Sequence, residues 1–195
     1  MDKVILLDNG HGENTDGKRS PDWTLMEWKY TRQIVKKIHK QLIDKGYDAR
    51  ILVPEDLDVA LNTRCKRVNA IVDEYGRDNV ILISIHCNAA GSDGKWHNAR
   101  GWQVHTYLNP GEETQRLANT IFDEAVECGV KTRRPSHDLK YWQNDFWILK
   151  HTKCPAVLTE NFFQDNKDDV AFLLSDTGKN TVTSIHVNAI MKYCK

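Results

Sequence analysis

Two kinds of segment alternate along the chain. Short apolar runs, which are typical of strands, occupy residues 4–8, 47–53, 80–86, 102–108 and 156–163. Between and after them, apolar residues recur every three or four positions, the spacing of amphipathic helices, over residues 24–45, 63–75, 112–128, 166–174 and 180–193. Strands that alternate with helices predict an α/β fold.

The run at residues 80–86 reads Val-Ile-Leu-Ile-Ser-Ile-His and is almost entirely apolar. Such a strand is typical of a parallel sheet that helices cover on both faces. We therefore predict a mostly parallel, twisted sheet between two helix layers. No repeat or flexible linker divides the 195 residues, so we expect a single domain over residues 1–195. The stretch 131–151 is interpreted as irregular.

Composition and charge exclude several functional classes. Lys and Arg together number 27, as do Asp and Glu, so no bulk charge attracts nucleic acid. The apolar run after Lys3 has four residues, too few for a signal peptide. No segment approaches the ~20 apolar residues of a membrane helix. We expect a protein that is made in the cytoplasm without a signal peptide and does not insert into membranes. Its five scattered cysteines favour buried free thiols over disulfides.

Three polar side chains lie at or just after the carboxyl ends of apolar strands. His11 follows the first strand, His86 ends the run at 80–86, and Glu160 ends the apolar part of the last strand. The carboxyl ends of parallel strands share one edge of a sheet, where ligands bind. Two imidazoles and a carboxylate at that edge are a suitable donor set for catalytic zinc. The remaining histidines lack paired ligand spacing and are interpreted as structural or exposed: His39, His97, His105, His137, His151 and His186.

Each candidate also has a structural explanation. His11 lies in a turn-rich segment, and His86, taken alone, is better explained as a core histidine bonded to a backbone carbonyl. Glu160 must be paired, metal-linked or exposed at its strand end, because burial of an ionised carboxylate is costly. Glu27 fits a capping box with Thr24, in which it would bond the first amide of its own helix.

Four motifs in this order resemble those of a known family. They are Asp8-Asn9-Gly10-His11-Gly12, Glu27 at the start of the next helix, Ser84-Ile85-His86-Cys87-Asn88, and Pro155-Ala156-Val157-Leu158-Thr159-Glu160. The helix containing Arg64-Cys65-Lys66-Arg67-Val68-Asn69 is similar to the one that precedes the Ser-Ile-His strand in that family. Over essentially its whole length, the chain resembles the zinc-dependent N-acetylmuramoyl-L-alanine amidases of the amidase-3 type.

The resemblance implies an α/β sandwich with a six-stranded sheet and one Zn²⁺ ion held by His11, Glu27 and His86. It also implies that Glu160 is the catalytic carboxylate, which takes a proton from water and returns it to the leaving amine. Asp8 is either an acceptor for the N–H of a ligand histidine or a turn former at the end of its strand.

The chain departs from the family pattern at a few positions. Asn9 replaces proline, Cys87 replaces alanine, Phe162 replaces a glycine that commonly follows the catalytic glutamate, and Val53-Pro54 replaces Thr-Arg. None of these changes removes an implied ligand or the catalytic carboxylate. Phe162 is the change that we expect to reshape the floor of the cleft.

The implied substrate is peptidoglycan, and the implied bond is the amide between N-acetylmuramic acid and L-alanine. Without a signal peptide or a separate cell-wall-binding domain, the chain would resemble a phage or prophage endolysin that reaches the wall after release. Two other functions stay open: another zinc peptidase or carboxypeptidase acting on peptides, and a non-catalytic peptidoglycan-binding module. The sequence predicts no particular oligomeric state.

Several aromatic and basic residues have the chemistry to stack on sugars or to bind stem-peptide carboxylates. All are better explained as core or solvated surface, so no substrate-binding residue is predicted among Trp96, Trp102, Tyr141, Trp142, Trp147, Arg133, Arg134 and Lys140.

Overall fold

A six-stranded sheet forms the centre of the computed structural model, which describes residues 3–195. Its strands are β1 (Val4–Asn9), β2 (Ala49–Ile51), β3 (Val80–Asn88), β4 (Gln103–Thr106), β5 (Trp142–Gln143) and β6 (Ala156–Phe163). They lie in the order β2-β1-β3-β6-β4-β5. The first four strands in this order are parallel to one another, and β4 runs antiparallel to β6. The predicted, mostly parallel α/β sheet is confirmed.

Helices cover both faces of this sheet. They are α1 (Glu27–Asp44), α2 (Leu61–Tyr75), α3 (Glu112–Glu127), α4 (Trp147–Lys150), α5 (Lys167–Leu174) and α6 (Asp176–Tyr193), with a short 3-10 turn at Arg77–Asn79. One apolar core lies between the sheet and α1, α3, α5 and α6, and the second lies between the sheet and α2 and α4.

The central strands are apolar throughout because both of their faces are buried. In β1, Ile5 and Leu7 belong to the core beside α1, whereas Val4 and Leu6 belong to the core beside α2. A strand alternates its side chains between the two faces, so only a continuous apolar run fills both cores. This arrangement aligns the carboxyl ends of β1, β3 and β6 at one edge.

Two helices begin three or more residues away from the position that the sequence pattern predicts, because of local hydrogen bonds. Helix α1 begins at Glu27 rather than at residue 24, and Met26 occupies its N-cap position without a side-chain cap. The Thr24 hydroxyl instead donates to Asp22 Oδ1 at 2.8 Å, within the preceding turn. Helix α6 begins before residue 180, because Ser175 accepts a hydrogen bond from the amide of Gly178 at 2.9 Å.

The interpretation of residues 131–151 as irregular was wrong in part, because the segment contains β5 and α4. The backbone of Trp102 anchors its start: the Trp102 amide donates to Lys131, and the Arg133 amide donates to Trp102, each at 2.8 Å. Gly101 permits this approach, since it has a φ of 110° and a Cβ there would lie 2.8 Å from the Lys131 carbonyl oxygen. Elements of two and four residues are too short to produce a periodic pattern.

Within residues 3–195, no helix combines the length and apolar content needed to cross a membrane. The expectation of buried free thiols is confirmed at Cys65, Cys87 and Cys154.

Candidate metal centre and its cleft

His11, Glu27 and His86 come together at the carboxyl edge of the sheet. One ligand atom from each lies within 4.8 Å of the other two. Glu27 Oε1 lies 3.5 Å from His11 Nε2 and 3.2 Å from His86 Nδ1, and the two imidazole rings meet edge to face. The three side chains come from the loop after β1, the first turn of α1 and the end of β3, so the fold unites residues that are far apart in sequence.

Glu27 faces the two histidines and does not cap its own helix. Its Oε1 accepts a hydrogen bond from the Cys87 amide at 2.9 Å, so the capping-box explanation is wrong. Burial acts to raise the pKa of Glu27, but His86 and His11 together hold it below its ordinary value. The pKa of His86 is raised by Glu27, although burial opposes the shift. Glu27 Oε2 is buried with no partner among the described residues, and such an atom is costly unless a cation or donor binds it.

Two buried arginines hold the loop that carries His11. The His11 carbonyl accepts hydrogen bonds from Arg32 Nη1 at 3.0 Å and from Arg64 Nη2 at 3.3 Å. His11 has a φ of 61°, a left-handed conformation that is strained for a residue with a Cβ and persists only where its surroundings enforce it. The sequence pattern did not indicate a role for Arg32. Arg64 belongs to the helix that is similar to one in the resembling family.

Gly10 allows this loop to pass directly beside His86. A Cβ at Gly10 would lie 2.4 Å from Cε1 of the His86 ring. At that distance the two atoms would clash, so a residue with a side chain does not fit here unless the ring moves. The Gly10 amide donates to the Ile85 carbonyl at 3.0 Å, and its carbonyl accepts the Thr31 hydroxyl at 3.1 Å. These bonds tie the loop to β3 and to α1, so the ligand-bearing elements are fixed to one another.

The three side chains suit a metal ion chemically. Burial lowers the pKa of His11 to about 4, so its imidazole is neutral at pH 7, the form that ligates metals. Two imidazole nitrogens and one carboxylate oxygen form a recognised donor set for zinc that leaves a coordination position open. The unpartnered Oε2 of Glu27 is a further oxygen available to a cation.

Glu160 lies next to His86, since β6 pairs with β3 in register at these two residues. Its Oε2 is buried without a partner among residues 3–195. Burial raises the pKa of Glu160 to about 8, although the charge of His86 opposes the shift. Glu160 and the three candidate ligands line one cleft of about 370 Å³, which Phe146 and Trp147 also line. A carboxylate with a pKa near neutrality is suited to both accept and donate a proton.

Asp8 forms no hydrogen bond with a histidine of the described residues, so the first of its two interpretations, as an acceptor for a ligand histidine, was wrong. Its carboxylate accepts hydrogen bonds from Arg64 Nη1 at 2.7 Å and from the Ser84 hydroxyl at 2.5 Å. Arg64 also donates to the carbonyls of Asn9 and His11. Asp8 therefore acts on the site indirectly, by holding the arginine that supports the His11 loop.

Phe162 lies away from the cleft, so the expectation that it reshapes the cleft floor was wrong. Its side chain is buried in the core on the α1 side and contacts Phe172, with ring centroids 5.0 Å apart. Phe162 has a φ of 64°, which explains why glycine suits this position in the resembling family. The chain accepts the strained backbone and gains a buried aromatic contact.

The aromatic residues and the remaining histidines lie partly in the core and partly at the cleft. Trp102 and Tyr141 are buried in the core, whereas Trp147 is half exposed and lines the cleft. His105 and His186 are buried, and burial lowers the pKa of each to about 4. Within residues 3–195, the cluster of potential ligands contains no further histidine.

Comparisons with known proteins identify the family of this chain. A family model described as N-acetylmuramoyl-L-alanine amidase, of the amidase-3 type, matches residues 5–192. The chain belongs to the amidase-3 family. It is 29% identical to the endolysin of Bacillus phage SPP1 over 192 residues, which cover 97% of this chain and 65% of that protein. The chain therefore spans just under two thirds of that relative. It is 25% identical to N-acetylmuramoyl-L-alanine amidase CwlM of Bacillus licheniformis, over 96% of this chain and 67% of CwlM.

Solved structures of amidase-3 type share the fold. The N-acetylmuramoyl-L-alanine amidase of Clostridium difficile 630 superposes with a TM-score of 0.82 at 23% identity, covering 98% of this chain and 96% of that one. The catalytic domain of the CD27L endolysin, described as targeting Clostridia difficile, has a TM-score of 0.72 at 20% identity and covers 98% of both chains. The six-stranded architecture is thus common to this chain and these proteins.

Proposed function

We propose that residues 3–195 form the catalytic unit of a zinc-dependent amidase that hydrolyses the bond between N-acetylmuramic acid and L-alanine in peptidoglycan. The observation that supports this most directly is the cluster of His11, Glu27 and His86 beside the buried Glu160. Membership of the amidase-3 family supports the choice of substrate, since a metal cluster and a carboxylate would serve many other hydrolases equally well.

In this proposal, His11, Glu27 and His86 hold one Zn²⁺ ion. When bound, zinc supplies a Lewis acid that polarises the substrate carbonyl and lowers the pKa of water. Arg64 and Arg32 keep His11 in its strained conformation through its carbonyl. The Cys87 amide orients Glu27 by donating to its Oε1.

Glu160 carries the proton in the proposed reaction. Its carboxylate accepts a proton from the attacking water and returns that proton to the amine as the C–N bond breaks. The pairing of Glu160 with His86 and the cleft that both residues line support this role. Burial of the carboxyl group, which raises its pKa to about 8, favours return of the proton at neutral pH.

Digestion of purified sacculi tests the proposal. We expect the protein to release new N-terminal alanine, to lose activity in chelator, and to regain it when zinc is added back. Glu160→Gln should retain one equivalent of zinc by metal analysis and release alanine about 10²- to 10⁴-fold more slowly. Release of other amino termini would indicate a peptidase instead, and binding of sacculi without any new termini would indicate a non-catalytic module.

A further inference from the structure

A second cavity, of about 480 Å³, adjoins the cleft on the far side of Glu160. Glu160 and Phe146 line both spaces, so the two form one continuous groove. We call the second space the donor pocket, and its distinctive polar lining consists of Gln103, His105, Arg133, Trp142 and Asn144.

A series of hydrogen bonds determines which polar groups on one wall of the donor pocket can donate to a ligand. Gln103 Nε2 donates to His105 Nε2 at 2.7 Å, and His105 Nδ1 donates to Asn144 Oδ1 at 2.9 Å. Burial lowers the pKa of His105 to about 4, and a neutral imidazole has one donor and one acceptor nitrogen. The amide oxygen of Asn144 is thereby occupied, and its NH₂ group is left as a donor.

Two further donors in the pocket have no hydrogen-bond or salt-bridge partner within the described residues. The guanidinium of Arg133 lies over the Phe163 ring, 4.8 Å from its centroid, and no carboxylate of residues 3–195 forms a salt bridge with it. The indole Nε1 of Trp142 is buried and makes no hydrogen bond in this part of the chain. The backbone of Arg133 is anchored to Trp102, so the cation is held at the pocket wall.

We propose that the donor pocket binds a carboxylate of the stem peptide on the amine side of the cleaved bond, an inference that rests on the proposed function. A guanidinium, an indole N–H and an amide NH₂ group together present donors and positive charge, which match a carboxylate. Glu160 lines the other end of the pocket and, when ionised, would repel an anion. The carboxylate therefore binds at the Arg133 end, and the neutral amide lies beside Glu160.

Calorimetric titration with two peptides tests the donor pocket without requiring hydrolysis. One peptide is L-alanyl-γ-D-glutamyl-L-lysine amide, and the other differs only by carrying a carboxamide in place of the free glutamyl carboxylate. We expect the protein to bind the carboxylate peptide about tenfold more tightly, the size of one partly solvated charge-assisted contact. Arg133→Gln should bring this ratio close to one, and Trp142→Phe, which removes the indole donor but keeps an aromatic ring, should reduce it in part.

Arg134→Gln is the matched control, because the neighbouring Arg134 is exposed and does not line the pocket. It should keep the preference of the unchanged protein. Equal affinity of the unchanged protein for both peptides, or a preference that survives in Arg133→Gln, overturns the proposal. Digestion of sacculi together with equal peptide binding refutes only the donor pocket. Discrimination between the peptides without digestion supports the pocket and refutes the amidase.

Discussion

Replacement of Glu160 by glutamine should stabilise the metal-free protein at high pH while it removes catalysis. Glutamine has nearly the size and shape of glutamate, but its side chain cannot ionise. In the folded protein burial raises the pKa of Glu160 from 4.5 to about 8. Between these pH values the unfolded chain releases the proton and the folded protein keeps it, so the wild-type free energy of unfolding falls as the pH rises.

The size of the effect follows from the pKa shift. Each unit corresponds to ~1.4 kcal/mol, so the full shift corresponds to about 4 to 5 kcal/mol at pH 8 and above. Because the cleft opens to solvent, which screens the ionised carboxylate, we expect about half of this, ~2 kcal/mol. Near pH 4.5 both proteins carry an uncharged group at this position, so the difference should vanish.

Urea denaturation of both proteins in excess chelator, at pH 5 and at pH 8, measures this difference. Other titrating groups are common to the two proteins and largely cancel. Hydrolysis of sacculi should fall by about 10²- to 10⁴-fold, the usual contribution of a general base. An equal difference in unfolding free energy at both pH values would refute the burial argument for Glu160.

Three further changes address the metal centre. His86→Ala should abolish zinc binding, measured as metal per protein after dialysis, because one of three ligands is lost. Arg64→Gln should lower the free energy of unfolding by about 3 to 5 kcal/mol, since it leaves a buried carboxylate unpaired. Gly10→Ala should leave the helical circular dichroism intact yet weaken zinc binding by more than tenfold in a chelator competition, because the new methyl group displaces the His86 ring.

Each of these changes has a matched control. His137→Ala alters an exposed histidine and should retain zinc. Lys66→Gln alters an exposed lysine on α2 and should cost under ~1 kcal/mol. Gly111→Ala adds a methyl group where no atom lies within 4 Å. A His86→Ala protein that retains full zinc contradicts the ligand assignment. Arg64→Gln with the stability of its control contradicts the role given to the buried ion pair, and unchanged zinc affinity in Gly10→Ala contradicts the steric argument.

Some features of this protein follow from the amino-acid sequence alone because they depend on neighbours in the chain. The apolar run at residues 80–86 and the period of residues 24–45 identify a buried strand and an amphipathic helix, since each pattern follows from the geometry of a single element. The short stretches at β5 and α4 have too few residues for any period. Their positions depend on contacts with β4 and α2.

The candidate site depends on both levels. Local motifs identified His11, Glu27, His86 and Glu160 as residues with suitable chemistry, but Glu27 fitted a helix cap equally well. Only the packing of α1 against the edge of β1 and β3 decided that its carboxylate faces two imidazoles. The side chain's direction is set by the sheet order, and no local pattern records which strands become neighbours.

The residues that hold the site in place could be recognised almost entirely from the tertiary structure. The residues concerned are Arg32, Arg64 and those that line the donor pocket around Arg133. In the sequence they look like ordinary polar residues of a protein surface. They become significant because folding removes them from water and brings them to partners up to 56 positions away. The periodic burial of a helix or strand is visible in a single sequence. The burial of an individual polar side chain and its contacts with distant residues are not.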